Sequence, residues 1–183
     1  NESARGVSPE DVISVKGLVK KRPEKLINAK VATGTIEIEA KEVKVVSKAH
    51  ALPFDMSKDS LDLTLPVLLD YRTLTLRHNQ VQSIFKVQAA VAEGFRKVSE
   101  ELGCTEIFVP TIAGSSTEGG AEVFEVKYYD HKATLIQSPQ LYKQMLIPTF
   151  ERVYTISHAY RSEPSVTTRH LAETIQMDNE FGF

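Results

Sequence analysis

The segment Gln137-Ser138-Pro139-Gln140-Leu141-Tyr142-Lys143-Gln144 joins a predicted strand to a predicted helix. Ser138 suits an N-cap and Pro139 the first helical position, so the helix is expected over Ser138–Leu146. On it Gln140 and Lys143 are three residues apart and share a face. An amide and an ammonium on one helical face suit a carboxylate ligand, although a solvated helix face would show the same pair.

Upstream, Glu122–Tyr129 and Ala133–Gln137 read as strands joined by the turn Asp130-His131-Lys132. Before them stands Ser115-Ser116-Thr117-Glu118-Gly119-Gly120, where paired glycines allow close backbone approach beside a carboxylate. A ligand ammonium would suit that carboxylate; a plain loop is the other reading. Downstream, Arg152–Tyr160 and Thr174–Phe181 are strand-like. The polar loop between them holds Arg161, Glu163, Arg169, His170 and Glu173. Arginine forks bind phosphate or carboxylate, and loops carry binding residues, but a surface salt-bridge cluster has the same composition.

Further out, Ile84, Val87, Val91, Phe95, Val98 and Leu102 recur at three- and four-residue steps, predicting a helix over Val81–Leu102 that stops at Gly103. Glu106–Pro110 reads as a short strand ended by proline. Helices beside a mostly antiparallel sheet make this part α+β. Residues 12–47 alternate as short strands around a loop at Lys20–Gly34. So few strands cannot bury both faces, and they are expected to be the closing half of a small β-barrel. Residues 51–66, with two prolines and no sustained period, read as a linker.

Composition narrows the classes. Apolar residues are 42% and charged residues 25%, ordinary for a globular protein, and the net charge of −2 gives no bulk attraction to nucleic acid. Any RNA contact must come from local patches. One cysteine, Cys104, makes neither an internal disulfide nor a cysteine-based zinc cluster, which points to a reducing, cytoplasmic setting. The apolar runs are shorter than a membrane span, so no membrane association is expected. The five histidines are scattered, and no metal spacing, nucleophile–base pair, Walker A motif or dinucleotide fingerprint is present.

Taken together, the three polar clusters resemble, in order and spacing, the class II aminoacyl-tRNA synthetases of the aspartate type. The resemblance runs from about Val12 to Phe183, and the Gln137–Gln144 string is its most specific piece. Residues 1–50 resemble the end of the family's anticodon-binding OB-fold. Residues 67–183 resemble the first part of the catalytic domain, with motif 1 in Leu68–Pro110 and motif 2 in Arg161–Glu180. The resemblance implies a fold of antiparallel sheet flanked by helices, preceded by closing OB strands. It implies aspartate activation by ATP with Mg²⁺, transfer to tRNA(Asp), and a homodimer formed through the motif 1 helix and strand.

It also implies roles. Glu118 would bind the aspartate ammonium. Ser138, Gln140 and Lys143 would line the amino-acid pocket, Lys143 meeting the side-chain carboxylate. Asp178 would hold Lys143 or the substrate ammonium. Arg161 would bridge the substrate carboxylate and the α-phosphate as the catalytic residue. Glu163 would meet the adenine amino group, with Arg169, His170 and Leu171 bordering ATP. Thr174 stands where the family usually has an aromatic residue under adenine, and Asn179 is polar where the family is often apolar. Motif 3, with its ATP-binding arginine and acidic Mg²⁺ ligands, is not among these residues, so the isolated chain is expected to be nearly inactive. A paralogue making an amide through aspartyl-adenylate, and a non-catalytic RNA-binding or dimerisation module, are the competing readings.

Overall fold

The computed structural model describes residues 5–116, 122–164, 167 and 169–183. The chain divides into two compact units, Asn1–Asp62 and Leu63–Phe183.

In the first unit β1 (Val12–Lys21) and β2 (Ile36–Ser47) form one long antiparallel hairpin. The expected loop is shorter than Lys20–Gly34, because β1 runs to Lys21 and a single 3-10 turn occupies Glu24–Leu26. Pairing slips between Lys16 and Gly17, and a Cβ on Gly17 would lie 2.3 Å from the Glu39 carbonyl oxygen. Only glycine fits that bulge. Val12, Val19, Ile38 and Val46 are exposed, as two strands cannot shelter both of their faces.

In the second unit two short helices, α1 (Leu65–Asp70) and α2 (Arg72–Thr75), precede the long α3 (Asn79–Glu101). His78 caps α3, its Nδ1 accepting from the Gln80 amide at 3.2 Å. Gly103 follows the helix with a φ of 75°, as a C-terminal stop requires. The strands are β3 (Thr105–Glu106), β4 (Ile112–Ala113), β5 (Glu125–Tyr128), β6 (His131–Leu135), β7 (Arg152–Tyr160) and β8 (Glu173–Phe181), with α4 (Gln140–Phe150) before β7. They form two sheets, ordered β3-β7-β8 and β4-β6-β5. The β5–β6 turn is tighter than expected: Tyr128 pairs with His131, and Tyr129 takes a left-handed φ of 55°. The expected strand at Glu106–Pro110 pairs only at Thr105 and Glu106, parallel to β7, with Ile107 N donating once more to the Tyr154 carbonyl.

The β7–β8 pair positions the site. Its antiparallel register runs from Arg152↔Phe181 to Tyr160↔Glu173, and directly opposed residues share a face. One face carries Val153, Thr155, Ser157 and Ala159 with Glu180, Asp178, Gln176 and Thr174. The other carries Tyr154, Ile156, His158 and Tyr160 with Asn179, Met177, Ile175 and Glu173.

Helix α3 packs on the second face. The Phe95 ring meets Tyr154 edge-on at 5.8 Å, and Asn179 Nδ2 donates to Ser99 Oγ at 3.1 Å. That bond accounts for a polar residue at 179: it satisfies a buried serine on the helix. The apolar stripe expected on α3 faces the sheet only in part: Phe95 packs on Tyr154 and Val91 borders the groove beside it. Ile84, Val87, Val98 and Leu102 are exposed, while Phe85, Val91, Ala92 and Arg96 line a groove of about 470 Å³ with Ile156, Ile175 and Met177. Among the described residues, no helix is long and apolar enough to cross a membrane.

Candidate active site

The first sheet face is built from the middle of the chain outward. Ile136 is fully buried, and its carbonyl accepts from Tyr160 N at 2.8 Å, tying the Gln137-Ser138 segment to the end of β7. Ser116 Oγ donates to Gln137 Oε1 at 2.9 Å. Helix α4 starts at Gln140, two residues later than expected, with Pro139 as its cap residue. Ser138 Oγ still accepts from the Gln140 amide at 3.4 Å, so its capping role survives the shift of boundary. The helix also runs past Leu146, through Pro148, to Phe150.

Lys143 lies on the inner side of α4 and is only 4% exposed. Its Nζ is 3.3 Å from Glu180 Oε2, and Gln140 Nε2 donates to that same oxygen at 3.0 Å. A buried ammonium demands such a partner. Asp178 was expected to hold Lys143 or the substrate ammonium; the carboxylate beside Lys143 is that of Glu180. Asp178 stands two residues back on the same face of β8. Sequence reading missed Glu180; period-two alternation from Asp178 was the signal that pointed to it.

At the other end, Arg161, Glu163, Arg169, His170 and Leu171 all line one cavity of about 250 Å³, with Thr174 and Gln176 as its floor on β8. The backbone bond from Arg161 N to the Ala172 carbonyl, 3.0 Å, closes the loop over it. His170 Nδ1 lies 2.6 Å from Thr167 Oγ1, and its Nε2 is 3.9 Å from Glu163 Oε2. Gln176 and Glu180 are four residues apart on an extended strand, so the two ends of the site stand about 13 Å apart. Between them on β7, the buried Thr155 Oγ1 and Ser157 Oγ make no hydrogen bond among the described residues. Neither was singled out from sequence, since a hydroxyl inside a strand carries no pattern of its own.

Glu118 lies outside the described residues. Ser162 N, on the Arg161 side, donates to the Glu122 carbonyl at 3.1 Å. The arrangement therefore offers a buried ammonium and amide at one end, and two guanidinium groups, a histidine and a carboxylate at the other. Such a site can take a ligand with an anionic end and a phosphate-bearing end.

Residues 64–183 match the family described as tRNA synthetases class II (D, K and N). The chain belongs to that family. Among its relatives, the aspartate–tRNA(Asp/Asn) ligase of Thermus thermophilus is 42% identical over 176 residues, 96% of this chain and 40% of that protein. The ligase of the same name from Sulfurisphaera tokodaii is 41% identical over 188 residues, 100% of this chain and 42% of that protein. Of the solved structures, asparaginyl-tRNA synthetase from Pyrococcus horikoshii with asparaginyl-adenylate superposes with a TM-score of 0.78 at 30% identity, covering 98% of this chain and 39% of that one. The class II synthetase fold, α+β with antiparallel strands flanked by helices, is thus the fold of this chain. The chain spans about two fifths of the length of the relatives it matches.

Proposed function

We propose that this class II synthetase chain forms part of an enzyme that joins L-aspartate to ATP, giving aspartyl-adenylate, and passes the aspartyl group to tRNA(Asp). The observation that carries this reading is the buried Lys143 at one end of a polar strand face whose other end holds the Arg161 cavity. The aspartate side-chain carboxylate would meet Lys143, with Ser138 and Gln140 beside it. Glu118 and Asp178 would take the ammonium. The α-carboxylate attacks the α-phosphorus in line, and pyrophosphate leaves. Two anions must approach while charge grows on the phosphoryl oxygens. Arg161, touching both, lowers their repulsion and fixes the geometry. Glu163 would accept from the adenine amino group, and Arg169, His170 and Leu171 would border the phosphates and ring.

A magnesium ion would neutralise phosphate charge when bound. Among the described residues, no cluster of three acidic, histidine or cysteine side chains could hold a metal. On the family resemblance, its acidic ligands and the opposite wall of the ATP site would be supplied by motif 3, and residues 1–183 alone would sustain little activity.

Residues 1–50 would belong to an anticodon-binding OB-fold, 51–66 to a linker and 67–183 to the catalytic domain. The exposed stripe on α3, continued by Phe108 at 87% exposure, supports a homodimer formed through that helix and the segment after it. The test is aspartate-dependent ATP–pyrophosphate exchange, using the longest natural polypeptide that carries this sequence, with asparagine as control. Exchange with aspartate is the expected result, and no exchange with either amino acid would overturn the reading. Formation of asparagine when ammonia is added would instead favour an amide-forming paralogue.

A further inference from the structure

The single carboxylate of Glu180 is shared by the two α4 residues that face the proposed amino-acid pocket. Its Oε2 accepts from Gln140 Nε2 at 3.0 Å and lies 3.3 Å from Lys143 Nζ. Lys143 is nearly sealed from solvent, with a side chain 5% exposed, whereas Glu180 keeps 24%. The carboxylate is therefore the group through which this buried charge is balanced before any ligand arrives.

Two consequences follow from donor and acceptor chemistry. A carboxylate oxygen accepts only, so Gln140 must turn an N–H toward it. That fixes the amide and leaves the Gln140 carbonyl oxygen to face a donor. Lys143 carries three N–H donors, and one is directed at Glu180. The others are left to face an acceptor. The helix thus presents an acceptor and a cation in fixed order, which matches the ammonium and side-chain carboxylate of one amino acid.

We propose that Glu180 is a positioning residue that sets the choice between a carboxylate and an amide side chain in the substrate. It does so by locking the Gln140 amide and the Lys143 ammonium in these orientations. The inference rests on the aspartate-activating reading. With Glu180 in place, an amide ligand meets donors where it offers an N–H of its own, and is rejected. Without the carboxylate, Gln140 is free to turn over and Lys143 to swing, and the pocket accepts either end group.

The test uses Glu180→Gln and Glu180→Asp in the longest natural polypeptide carrying this sequence. Glutamine keeps size and one acceptor but loses the charge. Aspartate keeps the charge on a shorter arm and guards against a folding defect in the first variant. The readout is pyrophosphate exchange with aspartate and with asparagine, alongside thermal melting. For Glu180→Gln the expected result is a tenfold or greater rise in KM for aspartate. KM for ATP and kcat should stay within about threefold, and the aspartate-to-asparagine ratio of kcat/KM should fall tenfold or more. Glu180→Asp should recover part of that ratio. An unchanged ratio in both variants would overturn the proposal, as would a parallel rise in both KM values, which marks a merely structural residue. An inactive wild type would overturn the aspartate-activating reading and this inference with it; an active wild type with unchanged variants overturns the inference alone.

Discussion

One face of the β7–β8 pair buries polar side chains, while the other leaves apolar ones exposed. Thr155, Ser157 and, against the same face, Lys143 are nearly inaccessible; Ile175 and Met177, on the side where α3 packs, are 49% and 40% exposed. Burying hydroxyls and an ammonium is unfavourable unless each finds a partner. A face that does so in the middle of a sheet is arranged for a ligand rather than for stability. The opposite face follows ordinary packing where α3 reaches it, through Phe95, Ala92 and Ser99, and stays open where it does not. The contrast separates two kinds of residue: those whose loss should unfold the sheet and those whose loss should silence it.

The contrast breaks most visibly at Tyr154, which is 1% exposed under Phe95. Tyr154→Ala is expected to cost about 3–5 kcal/mol of stability, read by urea denaturation. The variant's folded fraction should keep the wild-type KM for aspartate. On the polar face, Arg161→Ala should do the reverse. Losing a contact to the charge that develops in reaction costs about 2–4 kcal/mol at the transition state, roughly a thirty- to thousandfold fall in pyrophosphate exchange. The melting temperature should not move, because Arg161 is exposed and sits beyond the end of β7.

Thr174 sharpens the comparison from within the polar face. It forms the cavity floor with Gln176 but offers no ring for a base to stack on. Thr174→Phe should lower KM for ATP by an amount equivalent to about 1–3 kcal/mol, as base–aromatic stacking does elsewhere. An unchanged or higher KM would show that adenine does not lie over this residue.

The smallest effect is in pH dependence. Burial first, and then the neighbouring Glu106 carboxylate, push the Tyr154 hydroxyl above its ordinary value of 10.0. The folded state therefore favours the neutral phenol. Its contribution is complete below pH 10 and is lost as pH rises from there, where the unfolded chain ionises first, through the higher folded-state value. Tyr154→Phe keeps the ring and should flatten part of the alkaline fall in melting temperature. Tyr160 is shifted the same way, by burial and then Glu173, and adds to that fall.

Much of this arrangement was legible in the sequence because it is local. The Gln137–Gln144 string, the three-residue spacing of Gln140 and Lys143 and the Arg161–Leu171 cluster depend only on neighbours along the chain. So do the strands over 152–160 and 174–181, which the structure reproduces to within one residue. Boundaries were less legible. The start of α4 and the Tyr129 turn depend on backbone angles that several residue types tolerate. The orientation of α3 was legible only in part: of its conspicuous stripe Phe95 lies toward the sheet, but Ile84, Val87, Val98 and Leu102 are exposed, and Ala92 and the small Ser99 take the inner side instead.

The sequence by itself determined which chemistry the chain carries: a cation and an amide on one helix, guanidinium groups in one loop, and the alternation of two strands. Only the tertiary structure decided which carboxylate serves which cation. Asp178 and Glu180 are equivalent in pattern, two residues apart on one strand face. The choice of Glu180 for Lys143 comes from where α4 crosses β8, a contact between residues 37 positions apart that no local periodicity encodes. A charge buried to a few per cent must take the partner that packing brings within reach.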